Sequence, residues 1–199
     1  MANLYETVHK LARRLDEHKR ATKGQSDILM SFAFELRKAF SGSRLIEKLT
    51  WNNGDQPTYY GFRYLWTDLL FTISALRANA GYVATDELDQ ANLYLLEYIA
   101  RKALHAYDSL GATQIEQFIG KWIDIGNELV YVVNQAINVD YLMSKPSKNR
   151  FRSIPALLRK YSVHTPEYKR FIENLNQSAE RLNCSILEID FEGYPEVIW

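Results

Sequence analysis

A single cysteine, Cys184, in 199 residues excludes an intramolecular disulfide framework and a cysteine-rich zinc site. A chain built this way suits a reducing compartment, so the sequence points to the cytoplasm. An excess of charge of either sign is missing as well. Lys plus Arg and Asp plus Glu number 24 each, which leaves no basic surplus of the kind that accompanies sequence-independent binding to nucleic acid. Glycine and proline are scarce, nine and five residues, roughly 7 % together against about 12 % in average usage, so few positions interrupt helices. Long apolar runs are absent too. The N-terminus alternates charge with apolar residues, unlike a secretory leader, and the most hydrophobic window, residues 123–142, carries Asp124, Asn127, Glu128, Asn134, Gln135 and Asp140. Burying those side chains in hydrocarbon would cost several kcal/mol together, which excludes a membrane span there. The phosphate-cradling P-loop, the Gly-rich dinucleotide fingerprint, the G-x-S-x-G elbow and the HExxH zinc motif do not occur.

What is present is apolar and periodic. Hydrophobic residues make 47 % of the chain and aromatics 13 %, enough for one sizeable core. The pattern predicts an all-α, single-domain bundle of about six to eight helices over residues 1–199, with a basic connector at about 144–155 and an extended tail at about 185–199. Leu4, Val8, Leu11 and Leu15 form the first stripe, ended by Gly24. Ser26 caps a second helix carrying Ile28, Leu29, Phe32, Leu36 and Phe40, and a short helix is expected over 44–49. After a turn at 51–57, Pro57 opens a deeply buried helix over 58–80 with Phe62, Leu65, Trp66, Leu69, Leu70, Ile73 and Leu76. Thr85 caps the next, with Leu88, Leu95, Ile99 and Ala103 facing inward and an end near Gly111. The longest helix is expected over 113–142, apolar on two faces and therefore central, with Gly120 and Gly126 marking close packing or a break. Thr165-Pro166-Glu167 reads as a cap, a first-turn proline and a first-turn acid opening the last helix. Beyond it, Ile186, Glu188, Asp190 and Glu192 alternate with Leu187, Ile189 and Phe191, the pattern of a strand or an extended strap.

Few residues converge on chemistry. Glu6-x-x-His9 has the spacing of one half of a di-iron helix-bundle site, but His18, His105 and His164 supply no second copy, so neither metal nor cofactor is expected. Lys145, Lys148, Arg150 and Arg152 could contact phosphate, with Phe151 and Tyr161 as stacking surface for single-stranded nucleic acid. Against that, Glu188, Asp190, Glu192 and Glu196 could neutralise the same run within the monomer, and a solvated loop is the plainer expectation. Tyr59 and Tyr60 cannot both face inward beside Phe62 and Trp66, so one is expected in an exposed, partner-binding patch. Asp68 stands on a strongly apolar helix, where burial would perturb its titration and exposure or an ion pair would not. Cys184, with no neighbouring histidine, reads as a packing residue.

Two resemblances add to this. Arg101-Lys-Ala-Leu-His105-Ala-Tyr107 resembles the Arg-x(4 to 6)-His-x-Tyr motif of HEPN-type ribonucleases, with a three-residue spacer here. The resemblance implies Arg101 on phosphate charge, His105 as the acid-base group and Tyr107 beside it, without metal. Arg159 and His164 have the four-residue spacer but run into a helix start. Over most of the chain, Ile28-Leu-Met-Ser-Phe-Ala-Phe-Glu-Leu-Arg37, the Gly54-Asp55-Gln56 turn leading into Tyr64-Leu-Trp-Thr-Asp-Leu-Leu70, and the late Thr-Pro-Glu helix resemble the layout of the YjaG-like bacterial family. That family is helical and without an established biochemical function, so it implies a bacterial origin and transfers no active site. A good core without a catalytic set predicts a non-enzymatic bacterial interaction protein, of immunity or adaptor type, whose partner is a protein. The alternative is the HEPN-like ribonuclease or an inactive relative.

Overall fold

A computed structural model describes residues 2–15, 19–50, 56–189 and 195–198. Eight α-helices among them form the predicted bundle. Helix α1 (Ala2–Ala12) buries Val8 and Leu11, as its stripe requires, but ends well before Gly24. Gly24 instead lies inside α2 (Arg20–Phe40), and Ser26 is buried in that helix rather than capping it. The reason is packing. A Cβ on Gly24 would come 2.9 Å from Val130 Cγ1 and 3.2 Å from the Tyr131 backbone nitrogen, so the missing side chain sets how closely α2 approaches a later helix.

The segment expected as a short helix over 44–49 is a strand, β1 (Leu45–Lys48), antiparallel to β2 (Thr58–Gly61), with Ile46 opposite Tyr60 and Glu47 opposite Tyr59. Residues 51–55 of the connecting turn lie outside the described residues. Pro57 therefore leads into a strand, and both Tyr59 and Tyr60 are exposed. Helix α3 (Trp66–Ala80) begins eight residues later than Thr58 and buries Leu70, Phe71, Ile73 and Leu76, while Leu65 is buried just before it. Each such side chain contributes about 1.5–3 kcal/mol on burial.

Helix α4 (Glu87–Ile115) is the longest, and its cap is Asp86, not Thr85. Asp86 accepts from the Asp89 backbone N–H at 2.8 Å while Asp89 accepts from that of Asp86 at 3.1 Å, a reciprocal box. The helix does not stop at Gly111. It kinks at Asp108, whose φ of −159° and ψ of 98° are extended. The long helix expected over 113–142 is broken: a 3-10 turn (Glu116–Phe118) and an irregular segment precede α5 (Val130–Met143). The break falls at Gly120, whose φ of +71° favours glycine, and Trp122 also sits at positive φ.

The basic connector is largely helical, α6 (Lys148–Arg152) and α7 (Ile154–Lys160), with Phe151 and Ile154 fully buried. Helix α8 (Pro166–Leu182) starts as predicted, Thr165 accepting from the Tyr168 N–H at 3.1 Å. It covers a small second cluster of Leu129, Val132, Leu175, Ala179 and Ile186. The tail holds a 3-10 turn (Ile186–Glu188), and Val197 packs on the main core. Residues 190–194, where the strand pattern continues, lie outside the described residues, and no strand occurs among the described ones of the tail. Among the described residues no helix is long and apolar enough to cross a membrane.

Candidate protein-interaction surface

Helix α4 carries more apolar side chains than one buried face can take. Leu93, Ala100 and Leu104 point into the core. Two buried acids on the same side tie it to its neighbours. Asp89 accepts from Thr7 Oγ1 at 2.9 Å and from the Lys10 ammonium. Glu97 holds the Arg77 guanidinium of α3, with Arg101 at 3.4 Å from its other oxygen. Desolvation pushes the Asp89 carboxyl up, and the Lys10, Asp86 and Thr7 hydrogen bonds outweigh it, so the net direction is down.

The outward face is the surprise. Leu88, Leu95 and Ile99, expected inside, are exposed, together with Tyr94 and Tyr98. These five are 53 to 64 % exposed. Leu88, Ala91, Leu95 and Tyr98 follow one another at spacings of three, four and three, the seam a second helix would fill. Half-exposed side chains of these types leave roughly 500 Å² of surface, within the about 300–600 Å² of the largest patch on a typical monomer. Cations border it: the Arg77 guanidinium lies 4.2 Å from the Tyr94 ring centroid and the Lys102 ammonium 5.6 Å from that of Tyr98. Exposed Glu87 stands at its N-terminal end and exposed Lys102 at its C-terminal end, and neither has an ion-pair partner among the described residues.

Arg101, His105 and Tyr107 lie along the same helix but are each engaged by the chain. Arg101 pairs with Glu97, His105 Nε2 is 3.2 Å from Glu116 Oε2, and the Tyr107 ring packs at 4.9 Å on Phe151 and 6.4 Å on Trp66. Both groups that would carry phosphoryl chemistry face carboxylates, which competes with binding a phosphate.

The basic connector is likewise occupied. Asp108 accepts from Arg152 Nε at 2.7 Å and Nη2 at 2.8 Å and from the Gly111 N–H at 3.0 Å, and Lys148 is 3.8 Å away. The Arg152 guanidinium holds the Asp108 carboxyl down at about 2. Arg150 is buried, 4.7 Å from the Tyr141 ring, and donates to the Ile198 carbonyl at 3.1 Å. Thus Asp108 supplies neutralising charge to the connector from within the bundle, while Asp190 and Glu192 of the tail, expected in that role, lie outside the described residues. Phe151 is fully buried and cannot stack on a base, and Tyr161 donates to Asp140 at 3.0 Å. Of the four basic residues, Lys145 alone has no side-chain partner among the described residues.

Asp68 lines a groove of about 530 Å³ together with Glu35, Arg44, Phe62, Tyr64 and Val197. Burial pushes its carboxyl up, against the Asn138 and Asn134 amides that donate to Oδ1 at 2.7 and 2.8 Å. Glu35 and Arg44 close one wall as a two-point pair at 2.7 Å. The groove's acids are thus held by amide and guanidinium groups of the chain itself. Glu6 and His9 share a surface with Lys10, Arg13 and Arg14, and His9 stacks on Tyr5 at 5.5 Å. Among the described residues no three His, Cys, Asp or Glu side chains gather as a metal-binding group.

The family model described as "Domain of unknown function (DUF6904)" matches residues 1–199, and the chain belongs to that family. The match is to neither the YjaG-like nor the HEPN-type family that the motifs resemble. No curated protein and no solved structure matches the chain.

Proposed function

We propose that this member of the family acts by holding a protein on the outer face of α4: a non-enzymatic interaction protein of immunity or adaptor type in the bacterial cytoplasm. The observation that supports this reading is the run of Leu88, Tyr94, Leu95, Tyr98 and Ile99, exposed on a helix whose opposite face is already committed to the core. Solvent-facing leucine and isoleucine bring a folded monomer nothing, and a contiguous patch of this size with two tyrosines has the composition of an interface centre. The ion pairs at Arg101, His105 and Arg152 favour binding over phosphoryl chemistry in addition.

The test uses immobilised full-length chain and its Tyr98→Glu variant, with circular dichroism confirming that both fold. The expected result is a stoichiometric protein, a further copy of the chain or a different one, retained by the wild type at physiological salt and lost with Tyr98→Glu. Equal retention by both overturns the assignment to this face. Metal-independent cleavage of single-stranded RNA that disappears in His105→Ala would replace the reading with the HEPN-like one built on Arg101, His105 and Tyr107.

A further inference from the structure

We propose that the occupant of the α4 face is a second copy of the chain, packed antiparallel about a two-fold axis near Leu95. The proposal rests on the interaction reading above and specifies its partner. Its first support is charge. Along the face the sign runs from acid to base: Glu87 at the N-terminal end, beside an Asp86 that already pairs with Lys10 at 3.4 Å, and Lys102 at the other, with only uncharged exposed residues between Glu87 and Lys102 on the seam. A surface of that kind is complementary to itself when reversed and repels itself when parallel, because a parallel pair sets Glu87 beside Glu87 and Lys102 beside Lys102.

The second support is register. Leu88 and Lys102 stand seven residues to either side of Leu95, so a two-fold axis there lays the stem of Lys102 over the partner's Leu88 and brings its ammonium to the partner's Glu87. Ala91, the small residue of the seam, then lies across from the partner's Ile99, and Leu95 meets its own copy on the axis. The arrangement needs an unbroken helix, and α4 is continuous over this stretch because its one non-helical residue, Asp108, comes later. The third support is area. Two faces of roughly 500 Å² together bury about 1,000 Å², the lower bound for a specific interface. In this dimer the Arg101 to His105 stretches of the two copies stand about 18–30 Å apart along the axis, at 1.5 Å per residue, so they form no shared site.

Sedimentation equilibrium of the full-length chain at micromolar to millimolar concentrations tests the proposal. Tyr98→Glu is expected to raise the dimer dissociation constant roughly thirtyfold or more. Glu87→Lys or Lys102→Glu alone is expected to weaken the dimer roughly five- to tenfold, and the double charge swap to return it to near the wild-type value. All three side chains altered are exposed, so unchanged circular dichroism and melting temperature establish that the variants fold. A chain that stays monomeric at millimolar concentration overturns the proposal, as does a dimer indifferent to Tyr98→Glu. A dimer weakened by Tyr98→Glu but not restored by the double swap overturns the antiparallel arrangement. A monomer that nevertheless retains a different protein through Tyr98 defeats self-association and leaves the broader interaction reading standing.

Discussion

Helices α4 and α8 both lie at the periphery of the bundle, yet their outer faces are opposites. The solvent side of α8 carries Glu167, Lys169, Arg170, Glu173, Asn174, Gln177, Glu180 and Arg181, with Leu182 its one large exposed hydrophobic, at the very end. The solvent side of α4 carries Leu88, Tyr94, Leu95, Tyr98 and Ile99. A peripheral position therefore does not require an apolar exterior, and the same chain makes the ordinary alternative in its last helix. The difference separates side chains that hold the monomer together from those available to something outside it.

The comparison breaks if the two faces of α4 respond alike to truncation. Leu104→Ala, on the inner face, is expected to cost about 2–5 kcal/mol in chemical denaturation, whereas Leu95→Ala on the outer face changes monomer stability by less than about 0.5 kcal/mol. A second break would be an α8 surface change that disturbs association: Gln177→Glu is expected to leave the sedimentation behaviour of the chain unaltered where Tyr98→Glu abolishes it at micromolar concentration. Acid sharpens the comparison further. Asp108 is held at about 2 by Arg152, below the roughly 3.9 of an unfolded aspartate, so its contribution is complete above pH about 4 and is lost as the pH falls toward about 2. Asp108→Asn is expected to lower stability at neutral pH and to flatten the curve in that window, read from denaturation midpoints against pH. The smallest effect belongs to α8: Thr165→Ala removes its cap and is expected to cost about 1 kcal/mol in thermal unfolding while leaving association untouched.

The bundle was legible where one stripe stood alone. Ile28, Leu29, Phe32 and Leu36 repeat on a single side of α2 and are buried, and Thr165-Pro166 announced α8 to the residue. It was illegible where periodicity had two solutions. On α4, Leu88, Leu95 and Ile99 form as good a stripe as Leu93, Ala100 and Leu104, and sequence spacing alone does not say which faces the core. Counting both stripes on one helix, with Tyr94 and Tyr98 beside the first, was the signal that more apolar surface exists than one face can bury. The hairpin escaped because β1 is exposed along its whole length and so shows no inside–outside alternation. Asp108 escaped because its charge partners, Arg152 and Lys148, come some forty residues later. Asp68 stands out in the sequence as an acid on an apolar helix, but of the two amides that hold it Asn134 reads only as an interruption of a hydrophobic run, and Asn138, one turn on along α5, carries no signal of its own.

The contact at Gly24 has a kinetic side. Because α2 and α5 meet there nearly backbone to backbone, the amides around Gly24 and Tyr131 can reach deuterated solvent only when the two helices separate, which is the unfolding of the core itself. The two-stranded hairpin, exposed on nearly all of its length, can open without disturbing that contact. Isotope exchange would thus divide the chain into a fast hairpin and a slow α2–α5 seam, and the residue marking the slow end is the one that contributes no side chain.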